Sequence, residues 1–330
     1  MTESFRAILV SKTDDGQKVE FVRLTEADLM EGNVTIDVAH SSVNYKDGLA
    51  ITGKGPIIRH WPLVPGIDLA GTVRSSSHPQ WKAGDKVVLG GWGVGEGHYG
   101  GFAEMARVNG DWLVPLPDGF STADAMAVGV AGYTAMLCVM ALEEQGVTPA
   151  QGEVLVMGAA GGVGSTAIAI LSKLGFNVVA ATGRPEEEAF LKSLGATSVI
   201  DRKELQGPVK ALAKARWAGV VDTVGSTMLA NAISQVLPEG TVAATGLAGG
   251  MDLPTSVAPF ILRGVRLIGV NSVTTPQPRR IACWKRIAQD LDRSKLATLT
   301  THITLDDVPR VAAEIVAGKV RGRVVVDVKP

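Results

Sequence analysis

The short apolar run Val154-Leu155-Val156-Met157 enters the turn Gly158-Ala159-Ala160-Gly161-Gly162-Val163-Gly164, and no other feature constrains the 330-residue chain as tightly. Glycines at such a junction serve three ends. The chain leaves a strand sharply, its backbone can approach a pyrophosphate, and the next helix packs close to the sheet. The helix N-terminus then offers unpaired N–H groups and a positive dipole end to phosphate. Gly161 and Gly164 stand at the second and third positions of the dinucleotide fingerprint, with Ala159 at the first. A helix is expected from Val163 to Leu174, with Gly175 placed to close it. A phosphate loop of the kinase and ATPase type needs Gly-Lys-Ser/Thr, and this turn ends Gly164-Ser165-Thr166, which argues against phosphoryl transfer.

Beyond the turn, strand and helix alternate. Strands are expected at 178–181, 198–200, 219–222, 241–244 and 265–270. A helix opened by Pro185, with Glu186, Glu187 and Glu188 at its positive end, is closed by Gly195. Continuous apolar strands separated by helices imply a parallel sheet covered on both faces. Residues 1–125 read differently: Val34–Val38 alternates, 71–73 and 86–89 are short strands, and turn residues intervene often, which is β-rich, barrel-like material. A helix near 307–317 and a strand at 323–328 are expected to return to that first domain. The fold class expected is α/β: a Rossmann, doubly wound parallel sheet (126–272) inserted into a β-rich barrel domain formed by 1–125 and 273–330. Two cores suit this length.

Net charge is −1 with no long basic run, so neither nucleic acid nor a membrane surface is an expected partner. The start, Met1 to Ile8, reads as a strand rather than a signal peptide, and no stretch is expected to reach the roughly 18 apolar residues of a membrane helix. Cytoplasmic is the expected location. Cys138 and Cys283 sit in apolar helical patterns and are expected to be reduced core residues.

An NAD site usually carries an acid at the end of its second strand, whereas an arginine there suits a 2′-phosphate. Here the strand ends Thr182-Gly183-Arg184, twenty positions after Gly164, and Arg202 follows the third strand as a possible second cation. These residues favour NADPH; the alternative is that both arginines are solvated surface charges. His40, His60, His78, His98 and His302 are scattered, and no Cys/His spacing fits zinc, so the metal expectation is none.

With these features the chain resembles the medium-chain dehydrogenase/reductase superfamily, whose first domain is GroES-like. Zinc alcohol dehydrogenases of that superfamily carry a Gly-His-Glu segment; here it reads Gly66-Ile67-Asp68, and the first cysteine ligand falls in Ser41-Ser42-Val43-Asn44-Tyr45-Lys46-Asp47. The chain is therefore similar to the zinc-free, quinone-oxidoreductase-like branch. Within it, 44–55, 91–96, 132–137 and 246–250 resemble the acryloyl-CoA reductase subgroup, and the resemblance covers essentially the whole chain. It implies NADPH-dependent reduction of acryloyl-CoA to propanoyl-CoA and a cytoplasmic homodimer joined around Leu267-Ile268-Gly269-Val270. It also implies cofactor contacts at Tyr45, Ala160, Gly161, Gly162, Val163, Gly164, Thr182, Gly183, Arg184, Arg202, Leu247, Ile261 and Ser272.

An acyl-CoA reductase of this kind needs a donor near the thioester oxygen, where negative charge gathers. Asn44 as donor and Tyr45 as positioner are the catalytic candidates, against a turn residue and a packing aromatic. Lys46 and Asp47 are expected to pair with each other. The segment Gly90–Gly101, with seven glycines in twelve residues, reads either as a mobile wall over substrate or as an ordinary connection. His98 is a proton-donor candidate against a surface histidine. Arg279 and Arg280 are candidates for coenzyme A phosphates against a solvated helix start. Two other functions stay open: reduction of free quinones or enones, and an NADPH-binding regulatory protein without catalysis.

Overall fold

The structure, a computed structural model, describes residues 3–329. Met1, Thr2 and Pro330, which the expected first domain and its N-terminal strand include, lie outside the described residues. In chain order the strands are β1 (Ser4–Thr13), β2 (Gly16–Thr25), β3 (Val34–Val43), β4 (Asp68–Ser76), β5 (Lys86–Gly90), β6 (Met105–Val108), β7 (Val114–Pro115), β8 (Glu153–Met157), β9 (Asn177–Thr182), β10 (Ser198–Asp201), β11 (Trp217–Asp222), β12 (Val236–Ala244), β13 (Arg266–Gly269), β14 (Thr300–Thr304) and β15 (Arg323–Asp327). The α-helices are α1 (Tyr45–Thr52), α2 (Thr122–Glu144), α3 (Gly162–Lys173), α4 (Glu188–Leu194), α5 (Ser226–Ser234), α6 (Ala258–Arg263), α7 (Gln277–Asp290), α8 (Arg293–Leu299) and α9 (Val308–Val316).

The chain divides into two compact units, 3–130 with 273–288 and 300–329, and 131–272 with 289–299. The division differs from the expected boundaries at 126–130, which belongs to the first unit, and at 289–299, which belongs to the second unit. The reason at 289–299 is local: Lys173 at the end of α3 donates to the carbonyls of Gln289 and Leu291 at 2.7 and 3.3 Å, and Lys295 donates to Ser193 O.

In the second unit a parallel sheet runs β10-β9-β8-β11-β12-β13. Leu155, Val179, Val220 and Val242 are buried between its covering helices, which is why these strands read as unbroken apolar runs. The order turns back on itself between β8 and β11. At such a switch point the loops leave the carboxyl ends in opposite directions and open a crevice for a ligand.

In the first unit a seven-stranded sheet runs β14-β15-β3-β4-β5-β7 with β6 beside β3, and β1 and β2 form a separate hairpin. Its core contains Val34, Ile36, Leu69, Val87 and Leu89. The tail returns here: Val324 of β15 lies opposite Val43 of β3, which brings Arg323 to the level of the turn that follows β3.

One expectation is overturned. The α2 segment is long and apolar enough to cross a membrane by length and composition. Most of it is buried inside the fold, and Gly129 breaks it with φ 51° and ψ −162°, so two core helices meet at a kink. Cys138 and Cys283 are buried free thiols, and burial raises the Cys138 thiol above its usual range.

Candidate functional site

At the end of β8, Gly158 takes a positive φ of 65°. A Cβ there would lie 2.1 Å from Thr223 Oγ1, which itself donates to Met157 O. The sharp exit is thus made one residue before the fingerprint's first position. Ala159, outside the positive-φ residues, stands there without strain. Gly161 caps α3, and the hydroxyls of Ser165 and Thr166 fold back onto the carbonyls of Gly161 and Gly162 at 2.7 and 2.8 Å. The amides of Gly162, Val163 and Gly164 lie in the first turn, where a helix supplies no internal acceptor. A Cβ on Gly164 would meet Gly158 O at 2.4 Å and Ala159 Cα at 2.8 Å, so helix and strand touch backbone to backbone.

At the end of β9, Arg184 N–H donates to Thr182 Oγ1 at 3.1 Å, which curls the segment, and the Arg184 guanidinium lies 3.5 Å from the buried Glu187 carboxylate. Arg202, just past β10, crosses the backbone of Gly183: a Cβ on Gly183 would fall 2.3 Å from Arg202 Nε. Thr182, Gly183, Arg184 and Arg202 therefore form one group, with two guanidinium groups at the sheet's carboxyl end. Leu247 follows β12 and is 61% exposed, and Ile261 on α6 is 72% exposed. Ser272 is half-buried in the segment after β13.

In the first unit, the start of α1 is organised by buried polar groups. Asn44 caps the helix, and its backbone N–H donates to Asp47 Oδ2 at 2.8 Å. Its Nδ2 donates to Asp68 Oδ2 at 3.1 Å and toward the carbonyl and hydroxyl of Ser42, both at 3.2 Å, while its Oδ1 accepts from Arg323 Nη1 at 3.1 Å. The amide is committed inward, and Asn44 is buried. This corrects the expectation that Asn44 donates to substrate; the geometry favours the reading of it as a turn and capping residue. Tyr45, the next residue, is 44% exposed, and its hydroxyl makes no hydrogen bond to the described residues.

Asp68 is fully buried and accepts from Ser42 N, Ser42 Oγ, Asn44 Nδ2 and Val130 N. Burial raises its carboxyl, and the nearby Arg323 cation opposes the rise. Burial, reinforced by the charge of Asp68, pushes Asp47 up to about 7, although Asp47 also accepts from Ile67 N–H at 2.9 Å. Burial lowers the Arg323 guanidinium, against the pull of Asp68 and Asp47. Ile67, at the position of the zinc-binding histidine, is an apolar core residue. Among the described residues no group of three His, Cys, Asp or Glu side chains is arranged to hold a metal.

Three further expectations are corrected. Lys46 pairs with the buried Glu96 at 2.7 Å rather than with Asp47, because Asp47 points into the core. Arg280 is 2% exposed; it donates to the carbonyls of Gly90 and Val273 at 2.5 and 3.2 Å, and its Cζ lies 5.1 Å over the Trp92 ring. It is a core cation, neither solvated nor available to coenzyme A. His98 Nε2 contacts Glu31 O at 3.0 Å and Nδ1 contacts Tyr99 O at 3.2 Å, so both ring nitrogens are engaged by main chain. The Gly90–Gly101 segment is a connection stitched by its own backbone bonds, Val94 to Gly91, Glu96 to Gly93 and Gly95 to His98. Sequence reasoning missed Ser42, Asp68 and Arg323 as a unit; only the replacement of Glu by Asp at position 68 marked the place.

Residues 30–118 match the alcohol dehydrogenase GroES-like domain family, and residues 162–289 match the zinc-binding dehydrogenase family. The chain is 53% identical over 327 residues to acrylyl-CoA reductase AcuI of Ruegeria pomeroyi, covering 98% of this chain and 99% of that protein. The YhdH oxidoreductase of Salmonella enterica, solved in complex with NADP, superimposes with a TM-score of 0.97 at 53% identity, covering 98% and 100% of the two chains. Bacillus subtilis YhfP, solved with NAD bound, gives 0.96 at 43% identity, covering 99% and 100%. The chain belongs to the medium-chain dehydrogenase/reductase superfamily and, within it, to the acrylyl-CoA reductase subgroup.

Proposed function

We propose that this protein reduces the carbon–carbon double bond of acryloyl-CoA to give propanoyl-CoA, using NADPH. The observation that carries this reading is the full-length identity with acrylyl-CoA reductase AcuI, which leaves neither domain unmatched. The residues fit the cofactor. Gly158 and Gly164 leave room for a backbone cradle, the first turn of α3 supplies amides for a pyrophosphate, and Arg184 with Arg202 supplies cations for a 2′-phosphate. Thr182, Gly183, Leu247, Ile261 and Ser272 complete the proposed nucleotide site.

When bound, NADPH supplies the hydride that reaches the β-carbon of the enoyl thioester. Electron density then moves from the double bond onto the thioester oxygen, and the α-carbon takes a proton. The chain's part is to orient the two reactants and to stabilise the charge on that oxygen. Tyr45 is the polar group beside the buried network whose hydroxyl stays open to a ligand, and we place it at the acyl group. Asn44 serves by fixing the turn that carries it. The protein is proposed to be cytoplasmic and to assemble as a homodimer through the edge strand β13.

Turnover decides the function. With NADPH, kcat/KM for acryloyl-CoA is expected to exceed that for a small quinone. A large excess for the quinone would replace this reading with that of a quinone reductase. Cofactor binding with no reduction of either would make the chain a nucleotide-binding protein only.

A further inference from the structure

We infer that Arg323, on the last strand, is a positioning residue for Tyr45: with Ser42 and Asp68 it clamps the Asn44 amide that begins α1. Its mechanistic meaning rests on Tyr45 standing at the acyl group. The guanidinium is buried, and each nitrogen has a partner. Nε donates to Ala127 O at 2.9 Å, Nη1 to Asn44 Oδ1 at 3.1 Å, and Nη2 to Ser42 Oγ at 2.6 Å and Met126 O at 3.3 Å.

The kink at Gly129 makes this arrangement possible. In an unbroken helix the N–H of Val130 would bond Met126 O, four residues back. The break sends the Val130 N–H to Asp68 Oδ2 at 2.9 Å and turns Met126 O toward Arg323. One helix bond is exchanged for two bonds to opposite charges. Ser42 Oγ joins those charges, accepting from Arg323 and lying 2.7 and 2.8 Å from the two Asp68 oxygens. A Cβ on Gly129 would fall 2.3 Å from Arg323 Nη2, 2.7 Å from Asp68 Oδ2 and 2.8 Å from Ser42 Oγ, so residue 129 closes the cluster by having no side chain.

The consequence for Tyr45 follows from its anchorage. Its hydroxyl has no partner among the described residues, so its position depends on the backbone that Asn44 caps. Without the guanidinium, Asp68 and Asp47 become two buried carboxylates with no cation between them. The cluster must then admit a proton or water, and the Asn44 amide loses the Arg323 bond at Oδ1 and is held less tightly, by its Nδ2 bonds to Ser42 and Asp68.

Tyr45, Tyr99 and Tyr133 are the chain's three tyrosines, which permits a test independent of turnover. Protein labelled with 13C at the tyrosine ζ carbon gives three signals, and Tyr45→Phe assigns the one that matters. In Arg323→Met the Tyr45 signal is expected to move or broaden while the Tyr99 and Tyr133 signals stay in place. With acryloyl-CoA, kcat is expected to fall roughly tenfold or more with KM for NADPH nearly unchanged, and Arg323→Lys should recover part of the loss. If Arg323→Met does not fold, Ser42→Ala carries the test: it keeps both charges and removes one hydroxyl, and the same Tyr45 signal should move by less. An unmoved Tyr45 signal in the variants that fold, or equal movement of all three signals, overturns the proposal. Failure of the wild-type protein to reduce acryloyl-CoA would remove the proposed function while the tyrosine signals still decide the positioning role.

Discussion

Arg184 and Arg202 are held differently, and the difference sets what each substitution does. Arg184 has a buried acid, Glu187, at 3.5 Å, so its charge is already partly answered within the chain, whereas Arg202 is laid across Gly183. Arg184→Asp puts a negative charge where a 2′-phosphate is proposed to sit. KM for NADPH is expected to rise by a large factor, on the order of a hundredfold for a lost charge-assisted pair plus new repulsion, with KM for NADH nearly unchanged. Steady-state titration with both cofactors checks this; an equal effect on both would remove the 2′-phosphate assignment. Gly183→Ala tests the second cation. The added methyl collides with the Arg202 side chain, which is flexible enough to swing aside, so NADPH affinity should drop modestly while fold and NADH use survive. Gly183 and Arg184 read in the sequence as a strand-end turn and a cation because they fall within one short stretch, and Arg202 as a charge past the third strand; that Arg202 lies across Gly183 is not readable there. Nor is the commitment of Asn44. An amide in a turn reads as a donor until its partners are known, and one of them, Arg323, lies 279 residues away.

At the scale of elements, glycines that read as turn signals locate the exits of strands correctly, but Gly129 inside an apolar helical run gave no sign of a break. Its neighbours Ala127, Val128, Val130 and Ala131 continue the helix pattern, and the reason for the kink lies in a buried hydrogen-bonded cluster of Ser42, Asp68 and Arg323, delivered by β3, β4 and β15. Gly129→Ala meets two penalties, a positive φ of 51° and a Cβ inside the cluster. The backbone part, on the order of 1–3 kcal/mol, is shared by Gly146→Ala, at φ 84° but with nothing within 4 Å of its Cβ, so the larger fall in Tm expected for Gly129→Ala reads the collision with the cluster. A thermal scan of the two variants makes the comparison. The same cluster sets a pH dependence. Asp47 ionises near 3.8 when unfolded and near 7 in the fold, so between those values the folded chain binds more protons than the unfolded one. Stability from this group is full below about pH 4, declines as pH rises, and is lost above about 7. Urea midpoints from pH 5 to 8 should show this decline in the wild type and a flatter profile in Asp47→Asn; parallel profiles would contradict it.

At the scale of the whole molecule, β13 is one of the two outer strands of the parallel sheet, and the stretch leading to it is unusually apolar for a surface. Beyond Leu247 and Ile261, placed at the nucleotide, Met251, Leu253, Val257 and Leu262 are all exposed within twelve residues. An unpaired edge flanked by apolar side chains invites another chain, and proteins that leave such an edge bare risk aggregation. We propose that a second copy of the same chain covers it. A two-fold axis beside β13 would bring two identical edges together antiparallel, so that each copy would offer the other the groups it lacks and the contact would close without propagating. The sequence already marked the strand, since 265–270 reads as apolar β material. The exposure of 247–262 was not legible, because an apolar residue in a loop looks the same whether the core or a partner covers it. The expected outcome is a dimer by light scattering at micromolar protein. Val257→Glu combined with Leu262→Glu places four like charges at the two-fold contact and should yield monomers. Neither residue is assigned to the nucleotide site, so NADPH binding followed by fluorescence should report a folded cradle in that monomer. A wild-type monomer, or a doubly substituted chain that still dimerises, would place the partner surface elsewhere.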